Sequence, residues 1–280
     1  MKKLFRGRDV EKVGYLFVLP WVIGFLIFTA YPIFYSLYLS FYRVTIGNDG
    51  IQTTFRGIQN YVQAFTGDIN FLTQLGTYLQ QIFIFSLLIV ILALLIAMML
   101  NQKIRGIGIF RTIFFLPVII ASGPVLIKLE SMGMTKIGGE AHQTILTGIF
   151  GIIVSFVMNN LIVLLWFTGV PILIFLAALQ KQDTNIFEAA HIDGAGSWEI
   201  FWKITLPQLS SMILVNMVYV IVTYSTSGTN PIIGTIQTNM FAQNTGLGYS
   251  AALSWIFFIV IAGVIGIMAL IIRLFERRSD

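Results

Sequence analysis

The sequence predicts an all-α integral membrane protein with six transmembrane helices and a short helical hairpin on the cytoplasmic face. Three observations lead there. First, 57% of the 280 residues are hydrophobic and only 10% are charged, with a mean hydropathy of +0.86; an ordinary soluble domain carries about 25% charged residues. Second, the apolar residues fall in runs long enough to cross a bilayer core, which takes about 20 residues per helix. Third, the basic residues sit in short flanks between those runs, as in cytoplasmic loops. The net charge of +5 therefore marks a membrane topology and not a nucleic-acid partner. The absence of cysteine excludes disulfides and thiolate sites. His142 and His191 stand alone, without metal-ligand spacing.

Span one is the uncharged run Gly14–Tyr42. Lys2, Lys3, Arg6, Arg8 and Lys12 ahead of it raise the possibility of a signal peptide, but the run is too long and lacks a small-residue cleavage site. Span two is placed at Tyr78–Leu100 and span three at Ile109–Leu129. The uncharged stretch Gln143–Gln180 reads either as one long helix or as two helices turning at Asn159-Asn160. Span five is placed at Gln208–Thr226, followed by a polar loop, and span six at Ser250–Leu274.

Charge parity decides between six and seven spans. Six spans put both termini and two loops inside. Of the 17 Lys and Arg, only Arg43, Arg56, Lys128 and Lys136 are then external. A seventh span would move five more, Lys181, Lys203, Arg273, Arg277 and Arg278, to the exterior. The expectation is six spans, with residues 143–155 an external or interfacial helix leading into span four.

The loop between spans four and five is unusually ordered for a loop. Ile186, Ala189, Ala190 and Asp193 recur at helical spacing, and Asp183 or Thr184 can cap the start. Gly194 is placed to end that helix, because glycine takes a positive φ without penalty. Ser197 or Asp193 can cap a second short helix through Trp198 and Phe201. Pro207 falls in the first turn of span five, where proline is tolerated. The segment reads as a helix–turn–helix lying flat on the cytoplasmic face.

Glu188-Ala189-Ala190, then Asp193-Gly194-Ala195, then Ile204-Thr205-Leu206-Pro207 nine residues after the glycine resembles the EAA loop of type I ABC-importer permeases. Tyr31-Pro32, the segment Phe55–Tyr61, Ile174–Gln180 and Gly248–Ala252 resemble the carbohydrate branch, the maltose- and glycerol-phosphate-type permeases. The resemblance covers most of residues 15–275. It implies a cytoplasmic N-terminus (1–13), a transmembrane permease domain (14–275) with a coupling loop (181–207), and a cytoplasmic tail (276–280). Glu188, Ala189, Ala190, Asp193, Gly194, Ala195, Leu206 and Pro207 would form the coupling helix and its exit, docking on an ATPase chain. The implied partners are a second permease, two ATPase subunits that bind ATP and magnesium, an extracytoplasmic solute-binding protein and membrane lipid. The implied location is a bacterial cytoplasmic membrane. Ser211 stands where a second proline often follows, and Gly228-Thr229-Asn230-Pro231 replaces the usual Gly-Gly-Pro; these departures bear on cargo, not class.

No phosphate-cradling Gly-x-x-x-x-Gly-Lys motif occurs, so the expectation is a transporter subunit without an ATPase or a cofactor of its own. Asn216, Tyr219, Thr223 and Ser227 recur along one stripe of span five. Ser155, Asn159 and Trp166 share a face of span four, with Asn160 beside it. Amides, hydroxyls and rings suit a neutral sugar, while the alternative is hydrogen bonding between helices. A secondary transporter would need mid-span Asp, Glu or His, and none is placed there. An importer of the same class for polyamine, phosphate or amino acid is the nearer alternative, and charged cargo would favour a counter-charge in the path.

Overall fold

A computed structural model describes residues 7–47, 50–102 and 157–279, with Gly108, Thr112, Lys128, Ser131 and Met132 between them. Span three, apart from Thr112 and Lys128, and the segment 143–155 lie outside the described residues. Among the described residues four helices are long and apolar enough to cross a membrane. A fifth candidate is a pair bent by 65°, Ser197–Gln208 with Ser210–Ser225. The chain divides into two compact units: Met1–Leu72 with Thr235–Phe257, and Thr73–Gly234 with Phe258–Asp280.

In the first unit, α1 (Gly7–Phe25), a widened turn Leu26–Ala30 and α2 (Tyr31–Leu39) run on as one span. The widened turn lies just ahead of Pro32, whose ring would otherwise meet the carbonyl four residues back. The helix stops at Leu39, short of the expected Tyr42. Tyr42–Gly47 (β1) instead pairs antiparallel with Gly50–Phe55 (β2), Tyr42 opposite Phe55. β-Branched Val44, Thr45, Thr53 and Thr54 favour strand, and Gly50 turns the chain at φ +99°.

The next helix, α3 (Gln59–Thr66), ties down the hairpin: the Asn60 side-chain amide donates to the carbonyls of Ser40 and Tyr42 at 2.7 and 3.0 Å. α4 (Ile69–Asn101) starts earlier than expected because Asp68 Oδ1 accepts the Phe71 N–H at 2.9 Å, a side-chain cap.

In the second unit, α5 (Leu161–Gln180) follows Asn160, so the Asn159-Asn160 step is a helix boundary. It is followed by α6 (Thr184–Ile192), α7 (Ser197–Ile200), a widened turn Phe201–Thr205, α8 (Leu206–Gln208) and α9 (Ser210–Ser225). The core carries Tyr224, ringed by Tyr78, Phe85 and Phe167 at centroid distances of 5.9, 5.0 and 5.4 Å. The Tyr78 hydroxyl donates to Ser225 Oγ at 3.3 Å.

The loop after span five, expected to be irregular, contains α10 (Pro231–Met240). Asn230 Oδ1 accepts the Ile232 N–H at 2.9 Å, and proline takes the first helical position. α11 (Gly246–Ser279) is span six, begun four residues early. In its first turns a Cβ at Gly246 or Gly248 would collide with the carbonyls of Val44 and Tyr42. Glycine alone permits that approach. A Cβ at Gly263 or Gly266, further along, would meet nothing within 4 Å among the described residues.

Candidate functional site

The loop between α5 and α9 forms two successive helical segments with defined ends. Asp183 is extended, and its Oδ1 accepts the Asn185 N–H at 2.9 Å, capping α6 as its sequence suggests. At the other end Gly194 sits at φ +84°. The Ala195 N–H donates to the Ala190 carbonyl at 2.9 Å and the Gly194 N–H to the His191 carbonyl at 3.1 Å. Those paired bonds are the glycine-terminated helix end that closes the last free carbonyls.

The second segment departs from expectation at its start. Gly196, not Ser197 or Asp193, is its N-cap, and Glu199 Oε2 accepts the Gly196 N–H at 3.3 Å. The reach-back from Glu199 substitutes for a side-chain cap that glycine cannot supply. That N–H first, and then Lys203 at 3.3 Å, hold the Glu199 carboxyl below the usual carboxylate range. Pro207 lies within α8, ahead of the bend. The span's own helix starts beyond Leu209, which takes φ −91° and ψ −2°.

Most of the loop is open. Glu188, Ala189, Asp193 and Gly194 are exposed, Ala190 and Ala195 are half-buried, and Leu206 and Pro207 are half-buried and exposed. Among the described residues nothing lies within 4 Å of a Cβ built on Gly194. Three large apolar side chains missing from the motif reading also stand out: Ile192 at 87% exposure, with Trp198 and Trp202. The motif drew attention to its small residues; the apolar character of Ile192 and Trp198 was the available signal. Beside the hairpin, a cavity of about 280 Å³ is lined by Met98, Asn101, Leu179, Gln182, Phe187 and others.

The stripe residues are partly assembled. Asn216 is fully buried in α9, and among the described residues neither its Oδ1 nor its Nδ2 has a hydrogen-bond partner. Tyr219 and Thr223 follow on the same helix, half-buried. Ser227 falls off the stripe, since α9 ends at Ser225, and its hydroxyl pairs with Thr229 Oγ1 at 3.0 Å. Trp166, Asn159 and Asn160 are half-buried, with Asn160 at the N-cap of α5. Ser155 lies outside the described residues. Among the described residues there is no cluster of three or more His, Asp or Glu that could hold a metal.

Residues 89–280 match the family described as the binding-protein-dependent transport system inner membrane component. The chain is 29% identical over 285 residues to a probable ABC transporter permease protein, YesP, of Bacillus subtilis strain 168, covering 93% of this chain and 90% of that one. It is 33% identical to the lactose transport system permease protein LacF of Rhizobium radiobacter, covering 75% and 71%. The structure superposes, with a TM-score of 0.63, 20% identity and coverage of 97% and 96%, on a chain of a bacterial alginate ABC transporter in complex with an alginate pentasaccharide-bound periplasmic protein.

Proposed function

The chain belongs to the binding-protein-dependent transport system inner membrane component family, and from that membership we propose how this permease subunit of an ABC importer works and what it carries. It is a transporter subunit of a multi-pass inner-membrane system, and ATP hydrolysis resides on a separate chain. Its cargo class is sugar or oligosaccharide, in keeping with the lactose permease among its relatives.

The observation that carries the coupling assignment is α6 with its Gly194 terminus. Small side chains at Ala189, which is exposed, and Ala190, which is half-buried, let a partner surface approach the helix backbone closely. The Ala195–Ala190 and Gly194–His191 bonds make the helix end stiff. A stiff element displaced by ATPase closure moves what is bonded to it. Here that path runs through the second segment and Leu206-Pro207 into α9. We assign docking to Glu188, Ala189, Ala190, Asp193, Gly194 and Ala195, and transmission to Leu206 and Pro207.

In this reading six spans place both termini and the hairpin in the cytoplasm. A second permease completes the path, two ATPase subunits bind ATP and magnesium, and an extracytoplasmic binding protein delivers cargo. Asn216, Tyr219 and Thr223 supply an amide and hydroxyls without charge, which matches hydrogen bonding to a neutral sugar. Uptake by the assembled importer in vesicles, measured with neutral oligosaccharides against phosphate, polyamine and amino-acid solutes, tests this. Saturable, ATP-dependent uptake of a neutral sugar supports it, and uptake confined to a charged solute overturns the cargo assignment.

A further inference from the structure

The segment Ser197–Gln208 meets the spanning helix Ser210–Ser225 at 65°, with only Leu209 between them. A spanning helix tilts on average about 20° from the bilayer normal, so the segment before it lies about 45–85° from the normal, nearer the membrane plane over most of that range. Its 12 residues span about 18 Å. At the middle of that range, about 65° to the normal, the rise is about 8 Å, comparable with the roughly 5–8 Å depth of one headgroup layer. α9 itself is 16 residues, or about 24 Å, against an apolar core of about 30 Å. With its far end at the opposite edge of the core, a helix of that length brings the bend to the near edge of the core and not out in the cytoplasm.

Trp198 and Trp202, one turn apart, are 73% and 48% exposed, their rings meeting edge to face at 5.5 Å. Phe201 packs against Trp202 at 5.1 Å. Alongside runs a charged row, Glu199 bonded to Lys203. Ile200 and Thr205 are the buried side chains of the segment, and Leu209 at the bend is buried with them. An exposed indole pair beside an exposed ion pair is an amphipathic surface. Indole carries a large apolar body with one N–H donor, the chemistry enriched at membrane–water boundaries.

We propose that Ser197–Gln208 is an in-plane foot seated in the headgroup layer of the membrane, with Trp198 and Trp202 facing lipid. The hairpin then has two partners: its first helix meets the ATPase and its second meets the bilayer. The side of the membrane rests on the orientation given under Proposed function; the lipid contact follows from the bend and the indoles.

The test uses the assembled importer in lipid vesicles. The chain has no cysteine, so nitroxide labels on Trp198→Cys, Trp202→Cys and Ile192→Cys, with cysteine-free partner chains, report accessibility to oxygen and to a water-soluble nickel complex. Labels at 198 and 202 are expected to be accessible to oxygen and shielded from nickel. Nickel access at both sites means a water-facing surface, and shielding from both reagents means a protein cover; either result overturns the proposal. Ile192 separates the two readings, since a label there that stays open to nickel counts against ATPase docking while leaving the foot untouched. Should the cysteine variants fail to assemble, brominated lipids test the native indoles. The emission lost in Trp198→Phe/Trp202→Phe relative to the parent must be the part that brominated lipid quenches. If quenching is the same in both proteins, the foot is not in lipid.

Discussion

The Ala195 N–H reaches back 2.9 Å to the carbonyl of Ala190, over a glycine held at φ +84°. That bond fixes where the exposed helix α6 stops and in what direction the chain leaves it. It joins two residues of the loop motif through backbone alone, so its geometry depends on Gly194 and hardly at all on neighbouring side chains. A partner that seats on α6 therefore meets a preset shape.

A different glycine tests the packing of the first unit. Gly248→Ala would drive a methyl group into the Tyr42 carbonyl, where the β-hairpin begins. Overpacking of this kind costs about 1–3 kcal/mol. Gly263→Ala, with open space around it, should instead hold or slightly raise stability, since alanine is the better helix former by about 1 kcal/mol. Thermal unfolding of the purified importer with each variant checks the contrast. Equal melting temperatures would contradict the close approach.

Orientation is open to a direct check because native cysteine is absent. Asn185→Cys, at the start of α6, should label only after cells are permeabilised. Asn244→Cys, between α10 and α11, should label from outside intact cells. Both sites are exposed. The opposite pattern would invert the topology.

Asn216 separates two roles for a buried polar group. An unpartnered buried amide costs about 1–3 kcal/mol, so Asn216→Leu should maintain or raise thermal stability. If the amide serves cargo, the same change removes a hydrogen bond of about 1–1.5 kcal/mol and weakens transport about tenfold. Stimulated ATP hydrolysis should persist. Uptake unchanged in Asn216→Leu would remove it from the cargo path.

The loop's local structure was legible because its signals are short-range. Asp183 ahead of a helical run and Gly194 after it are caps that work through neighbouring backbone. The four apolar spans visible among the described residues were legible from length and composition. The β-hairpin was hidden because Tyr42 and the residues before it extend the apolar run, whereas its strands are set by pairing with Gly50–Phe55 and by Asn60. α10 carried a readable Asn-Pro start that polarity masked. The 65° bend at Leu209 and the Gly196 cap had no distinctive residue to announce them. Spacing put Asn216, Tyr219 and Thr223 on one helix, where they lie, but Ser227 was included by extending a helical period past the helix end.

The most direct test of coupling is a Gly194 series, with uptake and binding-protein-stimulated ATP hydrolysis measured side by side in vesicles. Valine at positive φ costs about 1–3 kcal/mol, whereas asparagine tolerates that region better, and a Cβ there meets nothing within 4 Å among the described residues. Gly194→Val should leave the chain in the membrane, abolish uptake and remove the stimulation of hydrolysis, with Gly194→Asn intermediate. If Gly194→Val retains both uptake and stimulated hydrolysis, the hairpin does not couple the ATPase to the permease.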